Sequence, residues 1–275
     1  MDLGLKDVHV FITVSLLLDL DALLSTTVNI WIGQGAIVSA HYRSNLQPLQ
    51  ALLDEFKGSI QAIQADLELE SDVERAFREA ASAFKRAVQV IVINHGYWEH
   101  EDVPVVKMTL KQWNATISVD LTSPFLVSRE FLRGLEGAST QEKEKVAMVM
   151  IGSTAGKYGE ANHADYAVCK SAMMYGLTLS LKNEIVEIAP KGRINSVAPG
   201  WVYTPMAEEA LKDPEVVYRS LATTPMKKFA QAFDIATQIV MLASPVVSGH
   251  VTGQVVMVEG GMEGRLLNRR EDVLV

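Results

Sequence analysis

Apolar residues along the chain fall into two alternating patterns. Short runs rich in Val and Ile recur at 8–13, 36–42, 59–65, 88–93, 146–151, 192–198 and 254–258, and each predicts a strand. Between them, apolar positions at helical spacing predict helices at roughly 46–56, 71–86, 109–134, 163–188, 206–221 and 231–243. "VIVIN" and "VAMVMI" are nearly unbroken apolar runs, as strands buried on both faces require. The alternation predicts an α/β fold, a doubly wound parallel sheet of about seven strands with helices on both faces. Ser71 with Glu74, and Thr109 with Gln112, read as capping boxes. "GLEGASTQEKEK" (134–145) reads as a polar surface loop. Without repeats or linkers, residues 1–265 are expected to form one domain, with 266–275 as a C-terminal extension.

One segment departs from this regularity. "TVSLLLDLDALLSTTVNIWIGQG", Thr13 to Gly35, follows the first strand, where a nucleotide-binding fold carries a glycine-rich phosphate loop. It reads instead as an apolar helix packed on the sheet. Asp19, Asp21 and Asn29 interrupt it too often for a membrane span.

Composition narrows the picture. The net charge of −8 and pI near 5.3 argue against nucleic acid as a partner. The start of the chain is acidic where a secretory signal is basic. The single cysteine, Cys169, fits a reducing compartment, so a cytoplasmic protein with no membrane partner is expected. The six histidines are dispersed, and no metal site is expected.

The strongest chemical signal is "GSTAGKYGEANHADYAVCK". Ser153 ends a buried strand, and Tyr166 and Lys170 share one helix face at i and i+4. A neighbouring ammonium stabilises a phenolate, which brings a phenol closer to use as an acid–base group. A hydroxyl such as Ser153 can hold a carbonyl or alcohol oxygen while Tyr166 gives or takes its proton. A Tyr–Lys pair alone is also an ordinary surface pair. The upstream Ser and downstream "NSVAPGWVYTP" set this one apart. Cys169 is expected to pack on the core side of that helix. "YWEHEDVP" (97–104) mixes aromatic and acidic residues in no pattern that assigns it.

With these motifs, the opening strand and the chain from Ala36 onward resemble the short-chain dehydrogenase/reductase family of single-domain Rossmann enzymes. The resemblance implies an NAD(P)-binding oxidoreductase acting on a small carbonyl or alcohol, assembled as a homodimer or homotetramer through the helices near 109–134 and 163–188. By that resemblance Ser153 polarises the substrate oxygen, Tyr166 is the general acid/base, and Lys170 binds the nicotinamide ribose. "NHG" implies that Asn94 and Gly96 line the cofactor crevice. "PGWVYT" implies that Pro199 and Gly200 pass the nicotinamide, with Val202 and Thr204 contacting its carboxamide. Thr13 opens the cofactor loop, and Asp66 with Leu67 flank the adenine. Tyr158, His163, Trp201 and Met206 are candidate substrate contacts, each also open to ordinary packing. After the second strand, Tyr42 replaces the acid that would read ribose hydroxyls, and Arg43 follows. An arginine pairs with a 2′-phosphate, so NADP(H) is expected over NAD(H).

Two features depart from the family pattern. Asp120 replaces an asparagine that holds a water in a proton relay, and an ionised carboxylate cannot donate a hydrogen bond. Val14, Leu18 and Leu20 replace the three glycines of the phosphate loop. Two readings remain: an NADP(H)-dependent oxidoreductase, or a catalytically silent relative acting through binding or oligomer contacts. The abrupt change at residue 14 also fits a frameshift or misplaced splice junction, which sequencing the transcript tests.

Overall fold

The computed structural model describes residues 1–14, 21–203 and 211–264. Among these, seven strands form one parallel sheet: β1 (His9–Thr13), β2 (Ile37–Tyr42), β3 (Ile60–Gln64), β4 (Val90–Ile93), β5 (Ala147–Ile151), β6 (Arg193–Pro199) and β7 (Val255–Val258). Their order is β3-β2-β1-β4-β5-β6-β7, with Val10 opposite Val38 on one side and Val90 on the other. Every predicted strand is present within a residue or two. Strand order reverses between β1 and β4, so the carboxyl ends of these strands frame the crevice where such sheets bind ligands.

Strand alternation divides the core into two layers. Val10, Ile12, Val38, Val90, Val92 and Val149 point to one face. There they meet Leu23, Leu24, Val28 and Trp31 of α1 (Asp21–Gly33) and Ile235 and Ile239 of the helix Ala232–Ala243. Phe11, Ile91, Ile93, Met148 and Met150 point to the other face. Their partners come from α3 (Glu70–Phe84), from the helix Ser123–Glu136 and from the helix Thr178–Ile188. Each large apolar side chain buried this way contributes roughly 1.5–3 kcal/mol before entropy is counted. From Asp21 the segment after β1 is therefore an apolar helix against the sheet, as its composition predicts, and residues 15–20 lie outside the described residues. Its end turns at Gly35, whose φ of 79° suits a residue without a Cβ.

Several local expectations are corrected. Helix α3 begins at Glu70, one residue before Ser71, and Leu69 occupies the cap position without a side-chain bond. Ser71 and Glu74 therefore form no capping box. The entry is fixed instead by Asp72, whose Oδ2 accepts the Asp66 N–H at 2.9 Å. Thr109 does cap α4 (Leu110–Ile117) by accepting the Gln112 N–H, but the Gln112 side chain turns away to Asp165. The predicted loop 134–145 contains the end of α5 (Ser123–Glu136) and the short α6 (Thr140–Lys143), closed by a Ser139–Glu142 capping box. Helix α2 (Gln47–Glu55) joins β2 to β3, and helix α7 (Thr154–Tyr158) follows β5.

Both long predicted helices are interrupted. A π turn, Ser118–Thr122, separates α4 from α5. Pro124 lacks the N–H that would reach the Asp120 carbonyl, and the Ser123 N–H bonds Ser118 O instead. A second π stretch, Ala172–Leu177, separates α8 (Ala164–Ser171) from α9 (Thr178–Ile188). In the predicted helix 206–221, α10 covers Pro214–Leu221, and residues 204–210 lie outside the described residues. The extension 266–275 lies outside them too. The last helix, Ala232–Ala243, is α11. No described helix is long and apolar enough to cross a membrane.

Candidate active site

Strand β5 delivers the chain to Ser153, which is half-buried and caps α7 by accepting the Ala155 N–H at 3.1 Å. Two glycines let this turn approach α8 and the π stretch after it closely. A Cβ on Gly152 would lie 2.6 Å from Met174 Cγ, and one on Gly156 would lie 2.8 Å from the backbone of Lys170 and Ser171. Helix α8 carries Tyr166 and Lys170, both buried. Lys170 Nζ lies 5.4 Å from the centre of the Tyr166 ring and donates to Ile151 O at 3.3 Å. Asp165, also buried, fixes the start of this helix. Its Oδ1 accepts the Tyr166 N–H, and its Oδ2 accepts Thr116 Oγ1–H and Gln112 Nε2–H. Cys169 is fully buried, and burial pushes its thiol up to about 12, so it is inert packing as expected.

The π turn points Asp120 into this site with no exposed surface. Its Oδ1 accepts the Tyr97 N–H at 2.8 Å, while Oδ2 is buried with no hydrogen-bond partner. Burial raises the Asp120 carboxyl to about 6, against the opposing pull of Lys170 and the Tyr97 N–H. A Cβ on Gly96 would fall 2.8 Å from Asp120 Oδ1 and 3.2 Å from Lys170 Nζ, so both charged groups abut that glycine.

At the sheet's switch point two histidines hold the backbone. The Ser123 hydroxyl donates to Val119 O, so it accepts from His95 Nε2–H. His95 Nδ1 lies 2.8 Å from Thr13 Oγ1, which also reaches Val92 O at 3.3 Å. Thr13 Oγ1 also accepts the Asn94 N–H. Its hydroxyl is thus engaged in joining β1 to β4. His41 accepts the Val14 N–H on Nδ1 and donates from Nε2 to Ala65 O. Burial lowers His41 to about 4 and His95 well below its ordinary range, so both rings are neutral. Val14 itself is buried in the first core layer.

An aromatic cluster beside Tyr166 centres on Trp98, a residue of the unassigned stretch 97–104. Trp98 meets the Tyr166 ring edge-on at 4.8 Å and stacks on His163 at 3.9 Å. His163 is buried, with Nε2 3.0 Å from Asp102 Oδ1 and Nδ1 without a partner. Tyr158 donates its hydroxyl to Met262 O at 2.6 Å. Trp201 is exposed, and Met206 lies outside the described residues. Sequence spacing gave no hint of Trp98, because its partners lie on a helix far along the chain.

A nicotinamide dinucleotide can be tested against this frame. At one end the crevice offers buried Asn94 Oδ1 without a hydrogen-bond partner, and Lys170. Pro199 ends β6, and the Gly200 N–H donates to Val258 O in a space where a Cβ would lie 2.9 Å from Glu259 Cβ. Val202 pairs with Ala230, and Thr204 lies outside the described residues. At the other end, Arg43 meets Asp66, while Leu67 turns its side chain into the core. The nicotinamide end suits the group, whereas the expected adenine contact at Leu67 is not made, because that side chain packs into the second core layer. Of the phosphate-loop positions, Val14 carries bulk, and Leu18 and Leu20 lie outside the described residues. No metal-holding cluster occurs among the described residues.

The fold and this crevice define a dinucleotide-binding oxidoreductase class. Residues 27–263 match a family model described as Enoyl-(Acyl carrier protein) reductase. The chain belongs to the short-chain dehydrogenase/reductase family, whose members are oxidoreductases acting on CH–OH and C=O groups. It is 32% identical over 176 residues to the 3-oxoacyl-(acyl-carrier-protein) reductase of Vibrio cholerae, covering 64% of this chain and 66% of that one, just under two thirds of its length. The 3-oxoacyl-(acyl-carrier-protein) reductase of Staphylococcus epidermidis is 29% identical over 237 residues, 83% of this chain and 89% of that protein. A crystal structure from Brucella melitensis, described as a short-chain dehydrogenase/reductase of glucose/ribitol dehydrogenase type, superposes with a TM-score of 0.79. It is 25% identical and covers 94% of this chain and 97% of that one.

Proposed function

We propose that the protein is an NADP(H)-dependent carbonyl reductase with Tyr166 as its proton donor. The observation that carries this reading is the burial of Tyr166 beside Lys170, with Trp98 against the phenol and Asp120 and Lys170 meeting at Gly96. Bound nicotinamide supplies or accepts the hydride. Ser153 holds the substrate oxygen, and Tyr166 gives that oxygen its proton in reduction and takes it back in oxidation. Lys170 favours the phenolate electrostatically and carries the ribose contact. Arg43 supports the choice of NADP(H), since its guanidinium suits a 2′-phosphate.

The relatives' names make a 3-oxoacyl thioester the first substrate to try. NADPH consumption with that thioester should fall by about 10²–10⁴ in Tyr166→Phe, the usual worth of a positioned acid–base group. Full turnover in Tyr166→Phe would remove Tyr166 from the mechanism. Half-exposed Phe125, Val168, Tyr175 and Leu179 lie along α5 and the helix pair from 164 to 188. They support a homodimer or homotetramer built on these helices, which equilibrium sedimentation reads directly.

A further inference from the structure

We propose that Glu68 is a selectivity gate acting on the cofactor's 2′-phosphate through Arg43. The proposal rests on the cofactor reading above. Arg43 follows β2 at the carboxyl edge of the sheet, and Asp66 and Glu68 follow neighbouring β3. One nitrogen, Arg43 Nη2, lies 2.8 Å from Asp66 Oδ2 and 3.0 Å from Glu68 Oε1. The cation that would receive a 2′-phosphate is therefore already held by two carboxylates.

The two acids differ in how they are fixed. Asp66 is bound into the loop: its Oδ1 accepts the Glu68 N–H at 3.1 Å, and its own N–H donates to Asp72. Among the described residues the Glu68 carboxylate has Arg43 as its one partner. One arginine against two carboxylates leaves a net charge of −1 where a 2′-phosphate would bring about −2. To take the phosphate, Arg43 must leave Glu68, and Glu68 is then a bare anion beside a dianion. A free 2′-hydroxyl asks for neither change and can itself donate to a carboxylate. Glu68 therefore lowers the affinity that Arg43 alone would give to the phosphorylated cofactor. It does so by opposing charge, not by shape.

Equilibrium binding tests this without turnover. Dissociation constants are measured by calorimetry for NADPH, NADH, 2′,5′-ADP and 5′-AMP, with wild type, Glu68→Gln, Arg43→Gln and the double variant. Glu68→Gln keeps the side chain's size and removes its charge. It should tighten NADPH and 2′,5′-ADP by about three- to tenfold and leave NADH and 5′-AMP within about twofold. Added salt should shrink the gain. In the Arg43→Gln background the gain should change, because the two side chains act as one unit. An unchanged NADPH/NADH ratio in Glu68→Gln, with wild type binding both cofactors, would overturn the gate and leave the cofactor reading standing. So would weaker NADPH binding in that variant, since Glu68 would then be orienting Arg43 toward the phosphate. If wild type binds neither dinucleotide nor 2′,5′-ADP, the cofactor reading and the gate fail together.

Discussion

Asp120 stands where the family resemblance implies asparagine, and its surroundings make that single change measurable. The side chain is fully buried, one oxygen has no partner, and the carboxyl is raised to about 6. An acid whose folded value exceeds its unfolded value of 3.8 stabilises the fold below that lower value. The contribution is lost as pH rises through about 6, where a buried carboxylate must ionise. Asparagine keeps an acceptor for the Tyr97 N–H and never ionises. Asp120→Asn should therefore gain about 1–3 kcal/mol near pH 8, with the gain fading below pH 6 and absent near pH 4. Urea unfolding at several pH values reads this directly. A gain that does not vary with pH would show that ionisation of Asp120 is not its source. The same reasoning gives Asp120 two functional states, a neutral acid able to donate a proton below about pH 6 and an anion facing Lys170 above it.

The turn and the helix that carry Ser153, Tyr166 and Lys170 are joined by what two glycines leave out. A Cβ on Gly156 would meet the backbone of Lys170 and Ser171 at 2.8 Å, and backbone cannot swing aside as a side chain can. Gly156→Ala should force α7 and α8 apart, destabilise by about 1–3 kcal/mol, and lower turnover because Lys170 moves with the strained segment. Gly134 in α5 is the control, since a Cβ there meets nothing within 4 Å. Gly134→Ala should stabilise by up to about 0.5–1 kcal/mol through helix propensity alone. Thermal melts and turnover of the two variants side by side check both expectations, and equal melting shifts would refute the packing argument. At this scale much was legible from local pattern. Strand runs such as "VIVIN", the i, i+4 pair Tyr166–Lys170 and the apolar helix holding Trp31 all follow from periodicity over a few residues. What stayed hidden depends on partners far apart in sequence. Trp98 gains meaning only against Tyr166 and His163, and Arg43 only against Glu68. The Ser71–Glu74 pattern misled because Asp72, clasping the Asp66 backbone, fixes the start of α3 one residue earlier.

Across the whole molecule, the end of β1 at Thr13 and Val14 is tied to the rest through buried neutral histidines, and this fixes how the fold responds to acid. His41 holds the Val14 backbone, and His95 links Thr13 of β1 to Ser123 of α5. His9 binds Ser39 of β2 and the Arg86 carbonyl. Burial lowers His9 and His41 to about 4, and lowers His95 well below its ordinary range. In the unfolded chain each takes up its proton near 6.5. A group depressed in the folded state contributes stability that is full above its unfolded value and is lost as pH falls toward its folded value. For these three rings the window opens at about 6.5 and runs down to about 4 for His9 and His41. Asp120 acts in the opposite sense below about 6, but it is one group against three. His9 and His41 alone should lose roughly 4 kcal/mol between pH 7 and pH 5, with His95 adding to the loss and Asp120 returning part of it. Unfolding free energy measured across this range should fall well before ordinary carboxylates titrate. A flat profile down to pH 5 would mean that these rings are hydrated or protonated in the native state. The switch point would then be wetter and looser than the hydrogen bonds through Thr13, His41 and His95 require.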